Sequence, residues 1–581
     1  MNYPLYNMAF RTKLISIFIL ILFSIFIMQS CDTTENKADP AIISVSLSDD
    51  LTVKPNILWI VAEDMSEYIP SFGDSTVVTP NLSRLAAEGI CYDNFYSPHP
   101  VCAPARAAII TGMYANSIGA SHMRTGPWFG GQPSRESLNN YQKNAMPENI
   151  KPYEAIPPPE VKMFTEYLRM EGYYCTNNSK EDYQFLKTPT AWDDSSSDAH
   201  WKNRNPNQPF FSIFNIGVTH EAQIWKKQKD SLWVETDLNV PVPPYLPDTE
   251  IAKKDIRRMY SNVKEMDAQV GQILKELEQA GLLENTIIFW YTDHGGPLPR
   301  QKRMLYDSGI KVPMIIKYPK SKQLNERDSR MISFIDLAPT LLSLAKIQPP
   351  KYMQGKAFIG HYKRSSEPVY VYGAADRFDE TTDKVRSVRD KQYKYIKYYE
   401  PEKPMYLEVG YRNQMPIMQE LLRLKKEGGL TKEQSLWFRE KKPNEELFDI
   451  QNDPYELYDL SNDPNYKSKL DEMRVTCDQW IVDINDTGMI PEEVLITNIH
   501  PQGFQPQTAP VQAKKRNGII ELSSTTTGAS IGYKIVKPDV DSDKLSWMIY
   551  SEPIQLNENE ELLTVAHRIG YRPSDVVKLN E

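Results

Sequence analysis

The sequence predicts an α/β fold: a mostly parallel central sheet sandwiched by helices, then a smaller antiparallel subdomain and a β-rich tail module. Three observations carry this expectation. Apolar runs of strand length recur as far as Lys317, helical segments lie between them, and after about residue 365 the texture turns to Tyr-rich alternation. A continuous apolar run fits a strand buried on both faces, and strands that alternate with helices favour parallel pairing.

Asn56–Ala62 (NILWIVA) is the first such strand. Residues 79–90 read as a helix, with Thr79 as N-cap, Pro80 at the first position and Gly89 as the stop. Apolar strands follow at Phe210–Val218, Thr286–Tyr291 and Val312–Lys317, and a helix runs from roughly Ile256 to Ala280, stopped by Gly281. Residues 124–160 and 188–209 read as long irregular loops, which are uncommon unless they line a site. Alternation at Gln392–Tyr399 suggests an antiparallel sheet, and residues 416–440 suggest two short charged helices separated by Gly428-Gly429. Short β-like runs at Gly518–Leu522 and Ser530–Val536 predict a small β-sandwich. The expected division is a main domain over 54–370, an antiparallel subdomain over 371–485 and the tail module over 486–581.

A chain of 581 residues with 40% hydrophobic content can bury a large core, which excludes wholesale disorder. Its net charge of −9 argues against nucleic acid as a partner, because phosphate contacts need a concentrated basic face. A local basic pocket for a smaller anion remains compatible with that balance. At the N-terminus, Arg11 and Lys13 precede the apolar run Leu14–Met28, which ends at Gln29-Ser30-Cys31 and a polar stretch. This resembles a bacterial lipoprotein signal, with residues 1–31 as signal, Cys31 acylated and 32–53 as tether; an ordinary signal peptide cleaved nearby is the alternative. Either reading implies export to the periplasm or outer surface, with membrane contact only through the lipid. Cys91, Cys175 and Cys477 are too few for a disulfide scaffold and read as small buried hydrophobes.

The strongest chemical signal is Cys102-Ala103-Pro104-Ala105-Arg106, followed four residues later by Thr111-Gly112. The segment resembles the type I sulfatase signature, C-x-P-x-R-x4-T-G, at every defined position. The resemblance implies the alkaline phosphatase-like fold and hydrolysis of sulfate esters. It also implies that a formylglycine-generating maturation enzyme oxidises Cys102 to formylglycine (3-oxoalanine), whose hydrated form is the nucleophile. The chemistry suits the residues. A sulfate ester is tetrahedral and highly charged, so attack needs a strong oxygen nucleophile and cations around the peripheral oxygens. A geminal diol can expel the sulfate after transfer, which a serine cannot. Without the resemblance, the same residues would read as a buried Cys opening a helix.

Partners of the motif are present. Glu63-Asp64 follows the first strand and Asp293-His294-Gly295 follows the strand at 286–291. By resemblance Glu63, Asp64, Cys102, Asp293 and His294 hold a Ca²⁺ ion, for which oxygen ligands at neighbouring strand ends are suited; Glu63 stands where the family usually has Asp. Lys302, four residues before Tyr306, matches the Lys that contacts the sulfate, and His220 matches a sulfate-contacting His able to protonate the leaving alcohol. Lys180 matches the Lys of a G-K-x-H segment, but Asp182 stands where that segment has His. His99, His122 and Arg124 lie near the motif and are candidates for substrate recognition, Arg124 by forking onto an acidic sugar.

The resemblance covers about residues 54–485. Together with export, it implies a sulfated polysaccharide or oligosaccharide as substrate, such as ulvan, carrageenan or a glycosaminoglycan. Two alternatives stand beside it. One is a phosphodiesterase or phosphonate hydrolase of the same superfamily, which a second metal site would favour. The other is a non-catalytic glycan-binding lipoprotein, for which Asp182 is the one feature in favour.

Overall fold

Asn56–Ala62 forms β1, and every residue after the first is buried. A strand with no polar face must be covered on both sides, and the sheet around it is. The structure, a computed structural model, describes residues 54–126, 136, 143–320, 324–538 and 540–579; the signal and tether expected over 1–53 lie outside them.

The other strands of the main sheet are β2 (Ile90–Tyr96), β3 (Tyr174–Asn178), β4 (Asp194–Ser196), β5 (Phe210–Ile216), β6 (Thr286–Thr292), β7 (Lys311–Lys317), β8 (Glu326–Asp328) and β9 (Ile332–Ser333). Their order is β4-β3-β5-β1-β6-β7-β2-β8, with β9 also beside β2. The pairs β4–β3, β3–β5, β5–β1 and β1–β6 are parallel, as are β2–β8 and β2–β9. Among these strands β7 runs against both neighbours, β6 and β2. The segment after β6 folds back and enters β7 from the same end of the sheet. Without a crossover helix to carry the chain across, the pair must be antiparallel.

Alternate side chains of β1 face opposite layers. Leu58 and Ile60 join Ile288 and Trp290 in one core with Ile256, Met259, Val263 and Val270 of the helix Glu250–Gln279. Trp59 faces the other way, into rings of Phe164, Phe211, Phe289 and Tyr291 at centroid distances of 5.0–6.0 Å.

Three expectations are refined. The helix over 79–90 spans Pro80–Glu88, but the Thr79 side chain makes no cap bond; instead Asp267 of the long helix accepts from the amides of Asn81 and Leu82 at 3.2 and 2.8 Å. The long helix begins at Glu250, six residues before the expected start, with Thr249 accepting from the amide of Ala252. Its first turn carries Glu250, Lys253 and Lys254, so the apolar period that marks the helix begins only later. The stretch 188–209 is not wholly irregular. It supplies edge strand β4 and buries Trp201 against Phe210 and Phe214.

A second sheet, antiparallel in the order β10-β11-β12-β13, comprises Val371–Ala375, Val385–Arg389, Tyr393–Tyr398 and Glu445–Asp449. The helix Lys467–Asp483 covers it, with Trp480 stacked on Tyr372 at 4.9 Å. The tail forms two small antiparallel sheets, β14-β15-β18 and β17-β16-β19-β20, from Gln512–Arg516, Ile519–Ser523, Ser530–Val536, Met548–Ile549, Ile554–Gln555, Glu561–His567 and Val577–Leu579. They share a core that includes Ile520, Leu522, Ile554 and Leu562. The tail grips the main sheet's flank: Arg169 donates to the carbonyl of Trp547 at 2.7 Å and Lys162 to Ser530 at 2.8 Å. Cys91, Cys175 and Cys477 are buried free thiols.

Asp255 joins the layers. It is buried in the long helix, and its carboxylate accepts from the amide of Ile417 at 2.8 Å, at the start of the helix Pro416–Glu427. Burial pushes its carboxyl up from an ordinary 3.8 to about 7. An acid raised in the folded state favours folding in its protonated form, so ionisation erodes stability as pH climbs from about 4 to about 7 and no further above. Asp255→Asn keeps an acceptor and abolishes the titration. It is expected to be more stable than wild type at pH 8, by on the order of 1–3 kcal/mol, with the gap closing by pH 4. Urea unfolding across that range checks this; a gap that does not change with pH would refute it.

Candidate active site

Four neighbouring parallel strands, β3, β5, β1 and β6, end on the same side of the sheet, and each is followed by charged residues. β3 leads to Lys180 and Asp182, and β5 leads through one 3-10 turn to His220 and Glu221. β1 leads directly to Glu63-Asp64, and β6 to Asp293-His294. Cys102 is the first residue of the wholly buried helix Cys102–Thr111. The free amides and dipole of that helix start favour negative charge at Cys102.

Asp64, with no solvent exposure, is the hub. Its Oδ2 receives Lys302 Nζ at 2.6 Å and the amide of Glu221 at 2.7 Å, and its Oδ1 lies 3.0 Å from His294 Nε2. Cys102 Sγ is 3.3 Å from His294 Nε2 and 3.9 Å from Asp64 Oδ1. Asp293 accepts from the amide of Asp64 at 3.1 Å and from Arg106 at 3.1 Å, and the other arm of the Arg106 fork reaches Asn215 at 2.7 Å. Lys180 binds Glu63 at 2.7 Å. His220 Nδ1 accepts from the amide of Ala222 at 3.2 Å, which leaves the proton of the neutral ring on Nε2. That Nε2 lies 3.5 Å from Lys302 Nζ.

Burial alone would raise the Asp64 carboxyl, but Lys302, His220 and His294 outweigh it and hold it well below the usual range. Burial likewise opposes charge on His294, yet Asp293 and Asp64 raise it to about 10. Burial raises the Cys102 thiol, and Lys180 and Lys302 more than reverse this, to about 6. Ligand atoms of Asp64, Cys102, Asp293 and His294 all lie within 4.8 Å of one another, as do those of Glu63, Asp64, Cys102 and His220. Two carboxylates buried at one point are donors a hard divalent cation takes, so the set can hold a metal ion. Glu63, engaged by Lys180, belongs to the second group.

Charge alternates outward from this hub. Lys302 lies 3.2 Å from Glu221; Arg303 forks onto Glu221 at 3.0 and 2.9 Å and reaches Asp379 at 3.0 Å. Arg124, one quarter exposed, lies 3.9 Å from Asp379 and 3.5 Å from Asp182. Burial would raise the Asp182 carboxyl, but Arg124, Lys180 and Arg106 lower it, so the charge at this unusual position is matched by cations. Asp64, Arg124, Ser179, Asp182, Arg303 and Asp379 all adopt left-handed backbone, with φ between 46° and 74°. Outside glycine this is rare, and a cluster of such residues marks a functional site.

His99 and His122 do not join this cluster, contrary to the expectation drawn from their nearness to the motif. His99 is fully buried with Nδ1 2.9 Å from the carbonyl of Ala374, and burial lowers it to about 4. His122 Nδ1 accepts from the amide of Arg377 at 3.2 Å, beside the buried Arg377–Glu492 pair. Glu221, Arg303 and Asn215 were not singled out in the sequence. Glu221 directly follows His220 and Arg303 directly follows Lys302, and that adjacency is the signal the sequence offers.

The sulfatase family model matches residues 55–347, and the model for the C-terminal part of N-sulphoglucosamine sulphohydrolase matches residues 300–413. The chain belongs to the sulfatase family. It is a sulfuric ester hydrolase, 47% identical over 565 residues to an ulvan-active sulfatase of Formosa agariphila, a match spanning 91% of this chain and 92% of that one. Human N-sulphoglucosamine sulphohydrolase is 25% identical over 488 residues, spanning 77% of this sulfatase and 94% of the relative. Among solved structures, a 2-O GAG sulfatase shares the fold at a TM-score of 0.52 and 20% identity, covering 75% of this chain and 93% of its own.

Arg303 is the support on which the inner charges rest. Arg303→Leu strips both buried carboxylates of their main partner, leaving Asp379 to the distant Arg124 and Glu221 to Lys302. The expected loss is about 3–5 kcal/mol, read from the shift of the urea unfolding midpoint. A loss below about 1 kcal/mol would mean that these pairs are exposed to water.

Proposed function

We propose that this sulfatase removes sulfate ester groups from a sulfated polysaccharide or its oligosaccharides, of the ulvan type, with formylglycine at residue 102 and one calcium ion. The observation that carries the reading is the placement of Cys102: buried at a helix start, 3.3 Å from His294, and electrostatically governed by Lys180 and Lys302. Oxidised by a maturation enzyme, residue 102 would supply a geminal diol as oxygen nucleophile. Calcium held by Asp64 and Asp293, with His294 and Glu63 alongside, would supply charge neutralisation at the sulfate.

Charge counting supports the ion. Around the site Arg106, Arg124, Lys180, Lys302, Arg303 and a charged His294 face Glu63, Asp64, Asp182, Glu221, Asp293 and Asp379, six against six. A balanced site offers an arriving sulfate group no surplus, and a divalent cation creates one.

The chain's own residues divide the remaining work. Lys302 and Lys180 flank residue 102 and would take the peripheral oxygens of the sulfate. Arg106 fixes Asp293 and Asn215. His220, part exposed, would in its doubly protonated form give the departing sugar oxygen the proton on Nε2 and return to the neutral ring. Asp182 would accept a hydrogen bond at the nucleophile, and Arg124 would meet an acidic sugar at the mouth. The sugar-polymer substrate rests on the relative named as ulvan-active and on an export signal; the reading places the mature protein in the periplasm or at the outer surface, anchored through Cys31.

Two experiments test this. Protein co-expressed with a formylglycine-generating enzyme should show a loss of about 18 Da at Cys102, and should release sulfate from ulvan fragments in preference to carrageenan or glycosaminoglycan ones, with release abolished in Cys102→Ala. An unmodified thiol under those conditions, with no release from any of the three, would sink the reading. Second, His220→Ala should lower kcat about 10²–10⁴-fold on sugar sulfates but far less on a nitrophenyl sulfate, whose leaving group needs no proton. Equal losses on both would assign His220 to sulfate binding instead.

A further inference from the structure

Arg412 is 4% exposed, close to the second sheet and just ahead of the helix Pro416–Glu427. Its guanidinium lies over the rings of Tyr406 and Trp437, 5.1 and 4.9 Å from their centroids. One amino group donates to the carbonyl of Leu407, and Nε has no hydrogen-bond partner among the described residues. Among the described residues no carboxylate lies within ion-pair distance of it; Arg303 repels it more than the hydroxyl of Tyr406 or the remoter Glu221 each attracts it.

The guanidinium lines a cavity of about 50 Å³ that is otherwise largely apolar, with Met304, Phe378, Val385 and Met405 in its wall. The other charged side chains of the wall are paired: Arg303 with Glu221 and Asp379, Asp376 with Arg386, Asp383 with Lys442. Burying a charge without a counter-charge is costly, and two aromatic faces offset only part of that cost. The rings therefore leave much of the charge unmatched. At roughly 10–15 Å³ per water-sized sphere, the cavity corresponds to about three to five such spheres, room enough for a compact ion.

We propose that the Arg412 cavity binds a small monovalent anion, a halide, which supplies the counter-charge this guanidinium lacks. The anion would also cancel the repulsion between Arg412 and Arg303, and so steady Arg303 on Glu221 beside Lys302. The site is separate from sulfate-ester hydrolysis and stands whether or not that reading of the substrate holds.

The test uses the full chain at fixed ionic strength, with gluconate exchanged for chloride or bromide. The thermal midpoint is expected to rise with halide, saturably and by on the order of a few degrees. The rise should vanish in Arg412→Met. It should also vanish in Val385→Phe, which fills the cavity and leaves the guanidinium, so a failure of one variant to fold does not end the test. Bromide-soaked crystals of the wild type should show an anomalous peak beside the guanidinium. Midpoints equal in gluconate and halide, a halide effect that survives both variants, or water alone at Arg412 would each overturn the proposal.

Discussion

Asp64 holds a negative charge just past the end of the central strand β1 with no contact to solvent, and the surrounding structure is arranged to compensate for it. An isolated carboxylate there would cost several kcal/mol or take up a proton. Lys302, His294 and the amide of Glu221 prevent both. Each answer creates a further need. Lys302 is itself buried and leans on Glu221, Glu221 is shared with Arg303, and Arg303 reaches Asp379, just beyond β10. A compensation that starts at the end of β1 therefore runs into the segment that carries the second sheet. The two sheets are joined by electrostatics as well as by packing.

What the sequence disclosed about this arrangement was the local part. Asp64, Asp293 and His220 sit immediately after apolar runs, so a strand ending in charge was visible without a structure. The Cys102 motif is contiguous and needed no folding to be seen. Partnerships across the chain were not visible: Glu221 and Arg303 are separated by 82 positions, and a charge beside a flagged residue reads equally well as solvated loop. Proximity in sequence also misled. His99 and His122 flank the motif, but their rings turn to the 374–377 segment, because a helix that buries every side chain leaves its flanks to pack against other elements. The reversed direction of β7 was hidden for a related reason, since an apolar run does not record which way it points.

The same limit applies to capping. Asp267 caps a helix nearly two hundred residues away, and Asp255 meets the amide of Ile417 across a similar gap. Both lie on the long helix that covers the sheet, so this helix serves as packing surface and as a source of fixed acceptors. Local residues such as Thr79 match the pattern of a cap without performing it, because the geometry is decided by which oxygen arrives first from elsewhere in the fold.

The left-handed turns that carry Asp64, Arg124, Ser179, Asp182, Arg303 and Asp379 have one more consequence. A side chain's anchor point there is set by the main chain, not by the residue that occupies it. Such turns behave as sockets, and different plugs can be tried in them while the wiring behind stays in place. Asp182, a departure from the family pattern in the turn after β3, is what such exchange looks like. Exchanging the plug alters what faces the site without redesigning the frame behind it.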